Sequence, residues 1–273
     1  MLKDITLGQF FPGNSLVHKM DPRTKLLFLV LYIVALFLAT DWISYGIMFA
    51  FLVIIIAVSR IPLKSVVSGM KPLVMILIFT GLLNLFFTGG ETVLFSKWFI
   101  TITLEGLYRA IFMVLRILML ITCTFLLTYT TSPIALTDGL ESLLSPLKKL
   151  RLPVHELSMM MCIALRFIPT LIEETDKIMS AQKARGADFE SGNLIQRVKA
   201  LVPILVPLFI SSFRRADELA TAMECRCYHG GDGRTKMKVL RYHARDYLAL
   251  IVGVLLLAGM IILYQIALRG GHA

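Results

Sequence analysis

The chain has 273 residues, of which 57% are apolar before its 18 Gly are counted and only 17% are charged. Average soluble proteins reach about 45–50% apolar with Gly included. A mean hydropathy of +0.77 therefore excludes a disordered, collagenous or disulfide-rich secreted chain and argues against a soluble enzyme. The net charge of +10, from 28 Lys+Arg against 18 Asp+Glu, suits anionic lipid, nucleic acid or an acidic protein partner, and the positions of the charges separate these.

The first 25 residues hold Lys3, Lys19, Arg23 and Lys25 and no apolar core of a signal peptide, so the first span is expected to act as its own membrane signal. Asp21-Pro22-Arg23 reads as the start of that span, Asp as N-cap and Pro at the first helical position. Apolar runs of near-membrane length then follow at Leu26–Thr40, Ile43–Val58, Pro72–Phe87, Tyr108–Tyr129 and Tyr247–Leu268. The fold class is thus an all-α integral membrane protein with about five spans. Residues 91–107, with Trp98 and Phe99, read as an interfacial loop or short surface helix. Arg116 lies within the fourth run, where a charge must face the protein interior or reach a carbonyl, and Asn84 in the third run reads as an interhelical hydrogen-bonding group.

Residues 1–25 carry four Lys or Arg, 59–71 carry three and 132–246 carry seventeen, against only Lys97, Arg109 and Arg269 on the other side. This asymmetry puts the N terminus and the long 132–246 segment in the cytoplasm. Three regions result: 1–131 with four spans, 132–246 cytoplasmic or interfacial, and 247–273 with the last span. Charge placed by topology leaves no case for a nucleic-acid partner.

Ile134, Leu136, Leu140, Leu143, Leu144 and Leu147 repeat at helical spacing and predict an amphipathic interfacial helix before Lys148, Lys149 and Arg151. Leu157–Ile172, with Arg166 and Pro169, and Leu201–Phe213, with Pro203 and Pro207, are too short or too interrupted for spans. Each continues through a charged middle to an Arg between small residues, Ala184-Arg185-Gly186 and Cys225-Arg226-Cys227, 41 positions apart. The pair reads as a loose internal repeat of two long helices that start at the membrane and end below it, each Arg-tipped. Gly186 would end the first helix, and Gly230-Gly231-Asp232-Gly233 would form the loop after the second. One Arg at a helix C terminus is ordinary complementation of the dipole. Two in matching contexts favour docking, because small neighbours admit a partner surface and a guanidinium forks onto a carboxylate.

Glu173–Lys177 and Arg214–Glu218 stand at i,i+4 spacing and read as solvated or interhelix pairs. Cys225-x-Cys227-x-His229, with His243, lacks standard zinc spacing, so no metal is assigned. The four Cys are too few for a disulfide framework. No catalytic constellation and no G-x-x-x-x-G-K-[ST] are present, so an enzyme is not expected and any ATP dependence must come from other chains. Met159, Met160 and Met161 are either plain core packing or a surface able to re-pack on different partners.

Several segments together resemble one family. They are Phe11-Pro12-Gly13-Asn14-Ser15, Leu16-Val17-His18-Lys19-Met20-Asp21-Pro22-Arg23-Thr24-Lys25-Leu26, Thr131-Ser132-Pro133, Leu165-Arg166-Phe167-Ile168-Pro169-Thr170-Leu171 and, most specifically, Ala184-Arg185-Gly186. Over nearly its whole length the chain is similar to the EcfT family, the transmembrane coupling subunits of energy-coupling factor (ECF) vitamin transporters. The resemblance implies a non-catalytic subunit of the bacterial or archaeal cell membrane that binds no cofactor. Its two coupling helices would sit in grooves of two ABC-type ATPase subunits, and it would transmit their motion to a vitamin-binding S-component. Cys225-Arg226-Cys227 departs from Ala-Arg-Gly but keeps the Arg between small residues. The coupling subunit of a cobalt or nickel transporter of the same class is the nearest alternative. A stand-alone secondary transporter or channel would need more intramembrane ionisable residues than Arg116, and a lipid-modifying enzyme lacks its constellation.

Overall fold

A computed structural model describes residues 10–89, 92–97, 100–150, 153–187, 189, 193–230 and 239–269. Trp98 and Phe99, Arg151, and Gly231 to Lys238 with the rest of the glycine loop lie outside them. In chain order the helices are α1 (Pro22–Phe37), α2 (Trp42–Ser59), α3 (Leu63–Met70), α4 (Val74–Phe87), α5 (Leu104–Thr130), α6 (Pro133–Leu144), α7 (Val154–Ala184), α8 (Leu194–Cys225) and α9 (Ala244–Arg269). The architecture is that of an all-α integral membrane protein, with one small exception. Between α4 and α5 runs an antiparallel hairpin, β1 (Val93–Lys97) and β2 (Ile100–Thr103). This corrects the expected loop or surface helix. Val93-Leu94-Phe95 and Ile100-Thr101-Ile102-Thr103 are rich in β-branched and aromatic residues, which fit a pleated strand better than a helix.

Five described helical stretches are long and apolar enough to cross a membrane: Trp42–Ser59, Leu63–Phe87, Leu104–Thr130, Val154–Ala184 and Ala244–Arg269. Four coincide with expected spans. The set differs from expectation in two places. At 16 residues, α1 is only about 24 Å long, short of a hydrocarbon core of about 30 Å. The fifth stretch is α7, whose length extends the apolar run seen in the sequence.

The chain divides into two compact units, one formed by residues 8–139 with 240–273, the other by 140–239. The first unit has a core of Tyr32, Ala35 and Leu36 from α1, Met48 and Leu52 from α2, Met119 and Leu126 from α5, and Met260 from α9. Gly253 lets α9 lie close on α1, since a Cβ there would come within 3.1 Å of the Phe28 ring.

Polar groups fasten this apolar bundle at its ends. Asp21 caps α1, its Oδ1 accepting from the Arg23 N–H at 2.9 Å. The buried Asp246 accepts from two backbone amides, those of Asp21 and His243, each at 2.8 Å, and so joins the starts of α1 and α9. Buried Lys25 donates to the Thr130 carbonyl at 2.9 Å and to Thr131 Oγ1 at 3.0 Å, neutralising the C-terminal end of α5. The preceding segment winds round His18, whose ring nitrogens meet Ser15 Oγ at 2.6 Å and the Phe11 carbonyl at 3.0 Å. The Phe11 N–H in turn donates to the Tyr129 carbonyl at 3.0 Å.

Arg116 behaves as its position demands. Its Nη2 donates to the Ala39 carbonyl at 3.1 Å, just past the end of α1, and its guanidinium lies over the Phe37 and Tyr45 rings. Asn84 differs from expectation: its Nδ2 donates to the Thr80 carbonyl of its own helix at 2.9 Å, so the amide is satisfied locally rather than across helices.

Candidate functional site

In the second unit α7 has 31 residues and α8 has 32, each close to 47 Å long. Prolines 169, 203 and 207 lie inside them, where each removes one helical hydrogen bond. The expected amphipathic segment before them is α6, followed by a 3-10 turn over Ser145–Leu150. Glu141 ties α6 to the start of α7, accepting from Ser158 Oγ at 3.0 Å and meeting His155 Nδ1 at 3.2 Å.

The two long helices cross with opposite chain directions. Gln182 of α7 reaches the Pro203 carbonyl of α8, Glu174 meets Ser211 and Arg215, and the Arg215 guanidinium lies 5.9 Å from the Phe167 ring centroid. The Arg215 Nη2 to Glu174 Oε2 distance is 2.9 Å, with both side chains largely covered. Glu174 and Arg215 are 41 positions apart, the same offset as Arg185 and Arg226. The pair thus crosses near equivalent points of the repeat, as around a local two-fold axis. Each Arg tip lies 11 positions beyond the crossing residue of its own helix, about 16 Å. The antiparallel course sends the tips to opposite ends of the pair.

The tips share one backbone geometry. At the end of α7 the Gly186 N–H donates to the Lys183 carbonyl and the Ala187 N–H to the Gln182 carbonyl, both at 3.0 Å, with Gly186 at φ +87°. At the end of α8 the Cys227 N–H donates to the Glu224 carbonyl at 2.8 Å and the Tyr228 N–H to the Met223 carbonyl at 3.0 Å, with Cys227 at φ +55°. Both are Schellman ends, with Arg at the C-cap and a left-handed residue after it. Gly186 ends its helix as expected. The second helix ends at its Arg, ahead of the glycine loop, and Cys227 occupies the glycine's place, at a cost only non-glycine residues pay there. Sequence reasoning missed this strain, although the alignment of Cys227 with Gly186 at the 41-residue offset was the available signal.

Ala184, Arg185, Gly186, Cys225, Arg226 and Cys227 are all exposed. His229 Nδ1 lies 2.8 Å from the Cys227 carbonyl, and among the described residues no three His, Cys, Asp or Glu come together as metal ligands. Met160 and Met161 are exposed at 54% and 46%, and Met159 is half-buried. On α8 a broad apolar face is open as well, with Leu205, Val206, Phe209, Ile210 and Phe213 each at least half exposed. Such a face on a long helix marks contact with lipid or with another protein.

A family model described as CbiQ, cobalt transport protein, matches residues 13–237. The chain is 56% identical to the energy-coupling factor transporter transmembrane protein EcfT of Clostridium kluyveri, covering 94% of this chain and 95% of that protein. It is 49% identical to EcfT of Bacillus subtilis, over 96% and 98% of the two chains. With EcfT of Lactococcus lactis it shares 45% identity over 97% and 99%. The chain belongs to this family, EcfT, the multi-pass transmembrane component of energy-coupling factor transporters.

Proposed function

We propose that the chain is the coupling subunit of an ATP-driven importer, passing the motion of two ABC-type ATPase subunits to a substrate-binding S-component for vitamin uptake. The observation that carries this reading is the repetition at the tips. Two exposed arginines stand on two Schellman ends of the same geometry, at equal distances from a crossing that joins equivalent positions. A duplicated contact of this kind suits two similar acidic grooves, one on each ATPase subunit. Ala184 and Gly186, and Cys225 and Cys227, would let each groove close on the backbone while the guanidinium forks onto a carboxylate.

In this reading residues 132–246 form the cytoplasmic and interfacial coupling region, flanked by the membrane regions 1–131 and 247–273. The charge asymmetry of the loops supports a cytoplasmic N terminus and a cell-membrane location. Approach of the ATPases would swing the two tips together, and the Glu174–Arg215 contact would keep the crossing from slipping as it turned. The exposed Met160 and Met161, with the open face of α8, would meet the S-component through a surface able to re-pack. The chain itself would need no cofactor, ATP binding being the partners' work.

Cobalt or nickel is the second reading for the cargo, favoured by the description of the family model. In both readings specificity resides in another chain. The test is mass spectrometry of what accompanies the tagged chain in mild detergent. Stoichiometric ATPases with one or more small membrane proteins support the coupling role. A lone 30.6 kDa chain that transports by itself in liposomes would replace it with a stand-alone carrier or channel.

A further inference from the structure

Within the first unit an apolar cavity of about 260 Å³ adjoins a polar recess of about 490 Å³, and the two share Val58. Three segments contribute to both, the coil before α1, the end of α2 and the start of α9, and the cavity is lined by α1 and α5 as well. The walls of the apolar cavity include Phe28, Phe51, Ile54, Leu248 and Val252, and almost no polar surface is exposed there. At the mouth stand Lys19, Arg60 and Arg245, with Asn14 beside them. All three cations are exposed, and among the described residues none of their side chains has an ion-pair or hydrogen-bond partner. Arg60 is moreover held at φ +56° as the C-cap of α2, a conformation costly for any residue that carries a Cβ and one that turns the chain at the recess.

We infer that this recess and cavity form one binding site for an anionic phospholipid, its phosphate between Lys19, Arg60 and Arg245 and one acyl chain along Phe51 and Leu248. The charge complementarity is direct: among the described residues that line the recess three are cations and none is acidic, and the recess borders an apolar slot. The depth fits as well, since Arg245 to Val252 and Val58 to Phe51 each span seven positions, about 10 Å down from the mouth. All three cations belong to segments that the loop charges assign to the cytoplasmic side, where anionic lipids concentrate. A lipid seated there would clamp α9 against α2 and the N-terminal coil. The inference is independent of the coupling role.

The test uses the full chain in its transporter complex, purified in mild detergent and offered phosphatidylglycerol or phosphatidylcholine with identical acyl chains. Retained lipid is counted by native mass spectrometry. The expected result is one phosphatidylglycerol held at least tenfold more strongly than phosphatidylcholine. One cation near an anionic head group is worth about fivefold, so Arg245→Gln is expected to lower the preference by about that factor. The triple Lys19→Gln, Arg60→Gln, Arg245→Gln should abolish it, and Leu248→Trp, which fills the slot, should lose both lipids. Equal retention of the two lipids by the unmodified chain, or a preference untouched by Arg245→Gln, would overturn the site. Displacement of the lipid by millimolar soluble glycerophosphoglycerol would also overturn it, by making the recess a free-anion site.

Discussion

Glu174 and Arg215 meet at 2.9 Å where α7 and α8 cross, and they occupy the same position in the two halves of a 41-residue repeat. A carboxylate in one copy and a guanidinium in the other turn a point of near symmetry into an attractive contact. Like residues at equivalent positions would repel there. The Ser211 hydroxyl adds a donor to the same carboxylate, and the Phe167 ring covers the guanidinium.

Removing one side of that contact leaves the other partly desolvated. Glu174→Ala is expected to destabilise the crossed pair by about 1–3 kcal/mol, the usual range for a charge-assisted hydrogen bond. The swap Glu174→Arg with Arg215→Glu is expected to recover most of the loss. Thermal unfolding of the detergent-solubilised protein reads both. A swap no better than either single variant would mean that the contact contributes little.

The two helix ends differ in one physical respect, the residue held at positive φ. Cys227→Gly removes the crowding of a Cβ in the left-handed region and is expected to stabilise the α8 end by about 0.5–1 kcal/mol. Gly186→Ala is expected to cost about 1 kcal/mol at the α7 end. Amide hydrogen exchange at Tyr228 and Ala187, whose N–H groups close the two ends, should slow in the first variant and quicken in the second.

Asp246 is one buried acid serving two backbone donors. In Asp246→Asn an amide NH₂ would face one of those N–H groups, so one donor loses its acceptor. The expected loss is about 1–3 kcal/mol, read as a lower unfolding temperature. Asp138→Asn is the matched control on α6, where no contact of this kind is made among the described residues. Equal shifts in the two variants would show that the tie between α1 and α9 carries no special weight.

Much of the architecture could be read from residue order because membrane helices announce themselves by length and polarity. Runs such as Ile43–Val58 and Tyr247–Leu268 leave the backbone no alternative in lipid. The Asp21-Pro22 cap and the stop at Gly186 were equally local, each set by the conformational preference of one or two residues. The hairpin over Val93–Thr103 escaped because short strands of four or five residues give too little periodicity to outweigh their flanks. The link from Asp246 to Asp21 escaped for another reason, since it joins positions 225 residues apart and no local pattern encodes it. The Arg tips were visible as a repeat, but the antiparallel crossing was not. The partner of Glu174 is chosen by packing, whereas sequence spacing points to i,i+4 neighbours.

The central claim is that Arg185 and Arg226 hold the ATPase subunits. The most direct measurement is the amount of ATPase recovered with the tagged chain, in the unmodified protein and in Arg185→Glu, Arg226→Glu and the double variant, each inserted to the same level. Loss of a paired charge at an interface typically costs about 2–5 kcal/mol. Each single reversal is therefore expected to reduce recovery, and the double reversal to abolish it while the S-component still co-purifies. Undiminished ATPase recovery with the double variant would contradict the account.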